Sequence, residues 1–140
     1  MLSLESARAL KEAGLSWQPQ LLDCFMIPDI GLDERVFVIT DMVVTLEVLD
    51  GLPAISFSGA VEWALDHVWQ ADAIWIPTES QLRHLLLSCV PPTEEFRLER
   101  RNGDFVCCLG RQGASREYQA AQAEEAYAQA LLAHWSAPTG

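Results

Sequence analysis

Asn102-Gly103 constrains this chain more than any other pair of neighbours. It stands between two runs rich in apolar residues, 96–99 and 105–109, and asparagine followed by glycine tolerates the positive φ that a two-residue hairpin turn demands. An antiparallel hairpin is expected there. Upstream, Thr78-Glu79-Ser80-Gln81 is a T-x-x-Q capping box: the threonine hydroxyl can accept the N–H of Gln81 while the Gln81 side chain reaches back to Thr78. The helix it starts carries Leu82, Leu85, Leu86 and Cys89 on one face, and Pro91-Pro92 ends it. A capped helix followed by an antiparallel hairpin points to an α+β fold.

The remaining elements follow in chain order. Ser3 caps an expected helix over residues 4–13 with Gly14 as its stop, and Leu4, Ala7, Leu10 and Ala13 line its apolar face. Residues 21–27 and 36–40 read as two antiparallel strands joined by a loop with Pro28, Gly31 and Asp33. Residues 42–49 fit helix and strand equally, whereas 54–57, after the Asp50-Gly51-Leu52-Pro53 turn, fits a strand. Ser58 is placed to cap a helix over 59–69, in which Val61, Ala64, Leu65 and Val68 follow the i, i+3, i+4, i+7 spacing. A short strand at 73–76 ends at Pro77, which has no N–H to give to a ladder.

After the hairpin, residues 116–119 offer a third strand and 122–135 a last helix, with Ala123, Ala126, Tyr127, Ala130, Leu131 and His134 on one face. The alternative is one longer helix capped by Ser115. Together these predict a single α+β domain over residues 1–135, with three to four helices in one layer on a small, mostly antiparallel sheet, and a flexible tail at 136–140. A chain of 140 residues can bury roughly 68–70% of its unfolded surface without staples.

The net charge of −11 is uneven: up to Trp75 there are twelve acids against three bases, and beyond it eight against six. Such a field repels phosphates and anionic headgroups, so neither nucleic acid nor a membrane surface is an expected partner. Cys24, Cys89, Cys107 and Cys108 show no C-x-x-C spacing, and the first fourteen residues carry charges where a signal peptide needs an apolar core. A cytoplasmic protein with reduced thiols is expected.

Several constellations invite a chemical reading. Asp41 follows the apolar run VFVIT, as a phosphoryl-accepting aspartate would, but the second aspartate of that phosphatase motif is replaced by Val43, and a receiver domain's late lysine is missing, since Lys11 is the only one. A turn or helix cap accounts for Asp41 more simply. Asp29, Asp33 and Glu34 lack the spacing of a calcium loop. Cys107 and Cys108, with the other cysteines and the three histidines, could be drawn as a soft-metal or redox cluster, but adjacent strand residues point to opposite faces. His84 stands i+4 from Ser80, with no nucleophile elbow to make a triad of them. No metal or cofactor is implied.

Tryptophan is the remaining candidate. Trp17, Trp63, Trp69 and Trp75 could line a pocket or anchor an interface, as a large apolar body with one polar handle does, although core membership is the plainer role. Trp63 falls about 100° around its helix from Ala64, off the apolar stripe.

The strings LKEAGL near the start, FVITDM at 37–42, GAVEWALD at 59–66, WIPTESQLR at 75–83 and EAYAQALL at 125–132 resemble a set of small uncharacterised bacterial proteins across most of the chain. Some of those relatives carry the label "pilus assembly protein", which implies a P-loop ATPase; this chain lacks the G-x-x-x-x-G-K-[ST] such a site requires. The order of capped helix, hairpin and Glu/Ala-rich helix is also similar to small phage and prophage proteins. The expectation is a non-enzymatic module that contacts another protein or a second copy of itself as a homodimer. A small-molecule binder with a tryptophan-lined pocket is the alternative, and an enzyme or metal or redox protein the third.

Overall fold

The computed structural model describes residues 1–28, 35–39, 44–57, 67–111 and 113–136. In chain order its elements are α1 (Leu4–Glu12), β1 (Cys24–Met26), β2 (Val36–Val38), β3 (Val44–Leu49), β4 (Leu52–Phe57), β5 (His67–Trp69), a 3-10 turn at Gln70–Asp72, β6 (Ile74–Ile76), α2 (Glu79–Cys89), β7 (Phe96–Arg101), β8 (Asp104–Leu109), β9 (Arg116–Ala120) and α3 (Ala123–Ser136). The fold is α+β. Every described pairing is antiparallel, but the strands form three three-stranded sheets, ordered β2-β1-β6, β3-β4-β5 and β7-β8-β9, where one small sheet was expected. No described helix is long and apolar enough to cross a membrane. The chain groups into two compact units, Met1–Leu15 with Pro77–Gly140, and Ser16–Ile76.

In the first unit α3 is the central element. It packs against α1, α2, β8 and β9, and its Ala123, Ala126, Ala128, Ala130, Tyr127 and Leu131 are all buried. The expected apolar face is present, except that His134 is half-buried. Alanines let neighbouring backbones come close, while Tyr127 fills the space towards β7 by stacking on Phe96 at 6.1 Å. Burial pushes the Tyr127 phenol up, so its hydroxyl keeps its proton.

Each helix of this unit ends as its sequence dictates. Ser3 accepts the Ser6 N–H at 3.1 Å, and α1 closes in a Schellman motif, with Gly14 N–H on the Lys11 carbonyl and Leu15 N–H on the Leu10 carbonyl. Gly14 takes φ +109°, which a side chain would resist. The Thr78–Gln81 box forms in both directions, at 3.2 and 2.9 Å. A further bond was invisible in the sequence: Glu125 in the first turn of α3 accepts both the Ser3 N–H at 2.8 Å and the Ser6 hydroxyl, tying the start of α1 to the start of α3.

Asn102 and Gly103 take φ +53° and +86°, the two positive values of a tight hairpin turn, and Arg101 pairs with Asp104 across it. Residues flanking a two-residue turn exchange both bonds, so Arg97, Glu99 and Arg101 bond to β8. The N–H and C=O of Phe96, Leu98 and Arg100 therefore face away from it. Residues 116–120 do form the third strand, and not an extension of the last helix.

The second unit is built on β1. Phe25 pairs with Phe37 on one side and Trp75 on the other, and Phe25, Ile27, Phe37, Ile39 and Ala73 form a buried cluster. Two expectations are corrected here. Strand β1 begins at Cys24 and not at residue 21, because Leu22 takes φ +72° and turns the chain; Leu21 and Leu22 are exposed. Residues 67–69 are a strand on β4 and not the end of a helix, since the open edge of β4 supplies the backbone partners that a β-branched Val68 and an aromatic Trp69 favour. The rest of that expected helix, 58–66, lies outside the described residues. The ambiguous stretch resolves as strand from Val44 through an Asp50-Gly51 turn; Met42 and Val43 lie outside, as does the tail from residue 137.

Replacing Thr78 by alanine is expected to cost about 1 kcal/mol, read as a fall of roughly 3–4 °C in the melting midpoint. Burial alone would raise the Glu125 carboxyl, but the bonds from Ser6 and Ser3 outweigh it and hold the carboxyl below its ordinary value. A carboxyl depressed by folding contributes stability that is complete above its unfolded pKa and lost as pH falls through the folded one. Urea titrations from pH 7 to pH 3 should therefore show a shallower loss of stability for Glu125→Gln than for the wild type.

Candidate functional site

The structure brings two of the four candidate tryptophans together. Trp17 lies in the segment before β1 and stacks on Trp75 of β6, with ring centroids 6.3 Å apart and planes 10° from parallel; it also tilts onto Phe25 at 5.7 Å. Both rings are half-buried. The two rings fill space against one another, and Trp17 packs on the Phe25 cluster.

A buried acid holds this arrangement. Asp23 is 5% exposed, and its Oδ2 accepts the Trp17 indole N–H at 3.0 Å and the Gln20 N–H at 3.1 Å. Its backbone closes the local ladder, with Asp23 N–H on the Gln20 carbonyl and Ile39 N–H on the Asp23 carbonyl. Gln70, from the turn before β6, donates to the Trp17 carbonyl at 2.7 Å. Asp23 was missed in the sequence because its burial arises from the chain turning at Leu22, which no periodicity announces. By contrast, the buried Trp75 indole nitrogen has no acceptor among the described residues. An unpaired buried N–H costs on the order of 1–3 kcal/mol.

Trp69 ends β5 opposite Ala54 and is half-buried, on a different sheet from Trp17 and Trp75. Trp63 and Asp41 lie outside the described residues. His84 and Ser80 are exposed on α2.

Cys107 and Cys108 are buried neighbours on β8 whose side chains take opposite faces. Cys107 shares its face with Leu98 and Tyr118, and burial, with a smaller contribution from Cys108, pushes its thiol up to about 12. Cys108 sits on the other face between Arg97 and Glu117, beneath a network of charged side chains. Its thiol is also raised, first by burial and then by Glu99 and Glu117, against the opposing pull of Arg97 and Arg101. Thiols held protonated are poor nucleophiles and poor metal ligands. Among the described residues, no group of three or more His, Cys, Asp or Glu side chains is placed to hold a metal ion.

The charges over Cys108 satisfy one another. Glu99 bridges Arg97 at 3.0 Å and Arg101 at 2.8 Å, and Arg101 reaches Glu117 across the sheet at 2.5 Å. Arg116 pairs with Glu94. These two arginine bonds hold the Glu99 carboxyl below its ordinary value. Arg97, Arg101 and Arg116 are thus in ion pairs, and Arg100 is exposed on β7.

No protein family, curated protein or solved structure matches this chain.

Two outcomes are expected. Trp17→Ala removes the stack and leaves Asp23 without its indole donor, destabilising the fold by roughly 3 kcal/mol in chemical denaturation. Alkylation at pH 8 followed by peptide mass spectrometry should leave Cys107 and Cys108 unmodified in the folded protein and label both after denaturation, while half-buried Cys24 and Cys89 react in the folded state.

Proposed function

We propose that this chain is a non-catalytic interaction module whose partner is a second copy of itself. The observation that carries the reading is the outer edge of β7, where the backbone groups of Phe96, Leu98 and Arg100 face away from β8 and no strand lies beside them among the described residues. An open strand edge is a template for pairing with another chain. The commitments of the other candidate groups support it. Asp23 serves Trp17 and Gln20, burial keeps the β8 thiols protonated, and Arg97, Arg101 and Arg116 are held by glutamates. The net charge of −11 argues against nucleic acid and anionic membranes as partners. Four free cysteines suit a reducing, cytoplasmic setting.

A second reading, a small-molecule binder, is favoured by one observation: the buried Trp75 indole N–H without a described acceptor. A ligand bearing a carbonyl or carboxylate beside the Trp17–Trp75 stack would complete it. In a thermal-shift screen of such compounds, that reading requires at least one concentration-dependent rise in melting temperature.

Self-association predicts that sedimentation velocity over a hundredfold concentration range shows the mass moving from one chain towards two. A single-chain mass throughout would reject it.

A further inference from the structure

We propose that two copies pair β7 to β7, antiparallel about a two-fold axis at Leu98, so that their three-stranded sheets join into one of six strands; this rests on the self-association reading above. The first step is backbone geometry. Only residues whose N–H and C=O point outward can form the closely bonded pairs of a new antiparallel ladder, and on β7 these are Phe96, Leu98 and Arg100. The bond from Gly110 N–H to the Glu95 carbonyl at 2.8 Å keeps the opposite set, the odd-numbered residues, on β8. Allowed registers therefore differ by steps of two residues.

Charge then chooses among them. With Leu98 opposite Leu98 of the second copy, Arg97 faces Glu99 and Glu95 faces Arg101, and the two-fold axis repeats both, making four opposite-charge pairs on one face. On the other face Phe96 meets Arg100, a pairing that suits a cation over an aromatic ring. One step in one direction sets Arg97 against Arg97 and Glu95 against Glu99. One step in the other sets Glu99 against Glu99 and Arg97 against Arg101. Two steps in that direction place Arg100 against Arg100. Like charges directly opposite are destabilising, so the Leu98-centred register stands apart from its neighbours.

The opposite edge of the same sheet is not equivalent. Strand β9 lies against α3, and Gln129 of that helix donates to the outward Gln119 carbonyl at 3.3 Å. Pairing about a two-fold axis uses the same β7 edge on both copies, so the contact closes on a pair. The surface joined is short and ion-paired, so the dimer should weaken as salt rises.

The test uses the full chain and two single variants. Arg97→Glu alone places glutamate against Glu99 of an identical copy, and Glu99→Arg alone places arginine against Arg97; each is expected to weaken the dimer roughly 30-fold or more. Mixed in equal amounts, the two complement each other, and a heterodimer should return in sedimentation and native mass spectrometry. Circular dichroism and melting check that each variant is folded. Glu95→Arg and Arg101→Glu form a second complementary pair for use if Glu99→Arg does not fold. Restoration on mixing supports the register. Variants that dimerise like the wild type, or a mixture that stays monomeric, overturn it while self-association through another surface stands. A wild type that is monomeric up to about 1 mM overturns both.

Discussion

The first unit depends on how closely other elements can approach α3. A helix packed against two helices and two strands has little room for bulk on the faces it buries, and its row of buried alanines answers that constraint. Small side chains bring the backbones together, and the two large residues, Tyr127 and Leu131, fill what remains. Fixing the start of α3 also fixes α1, because Glu125 supplies acceptors to the Ser3 N–H and the Ser6 hydroxyl that α1 would otherwise leave to water.

The second unit solves a different problem, the burial of a carboxylate. Asp23 is tolerated at 5% exposure because the indole of Trp17 and the Gln20 N–H meet its oxygen. The interaction works in both directions: the acid orients the indole, and the oriented indole stacks flat on Trp75. Trp17 and Trp75, two of the tryptophans that the sequence offered for a pocket or an interface, lie in contact with their ring planes nearly parallel.

Strand β7 combines features that usually exclude one another. Its alternating arginines and glutamates are the kind of charge that protects a strand edge from indiscriminate pairing. They would also distinguish registers in a two-fold pair, since shifting a Leu98-centred pairing by one step either way sets like charges against one another. A strand whose charges cancel internally, Glu99 with Arg97 and Arg101, loses little by gaining a mirrored set, because exposed ion pairs rearrange cheaply.

Local chemistry determined a great deal of this protein. The Thr78–Gln81 box, the Asn102-Gly103 turn, the Ser3 and Gly14 ends of α1 and the stop at Pro77 were all legible, because each is decided by a few neighbouring residues and their hydrogen bonds. The α+β class followed from them. Residues 44–49 and 67–69 were not legible, since a short apolar run carries no period of its own and takes the conformation for which a neighbour provides partners, here β4 on both sides. The division of strands among three sheets, the burial of Asp23, the contact of Trp17 with Trp75 and the bond from α1 to Glu125 likewise join residues far apart in sequence or depend on a turn at Leu22. Only the tertiary structure could decide these, because their energy comes from desolvation and packing among elements, quantities that exist once the chain has folded and not before.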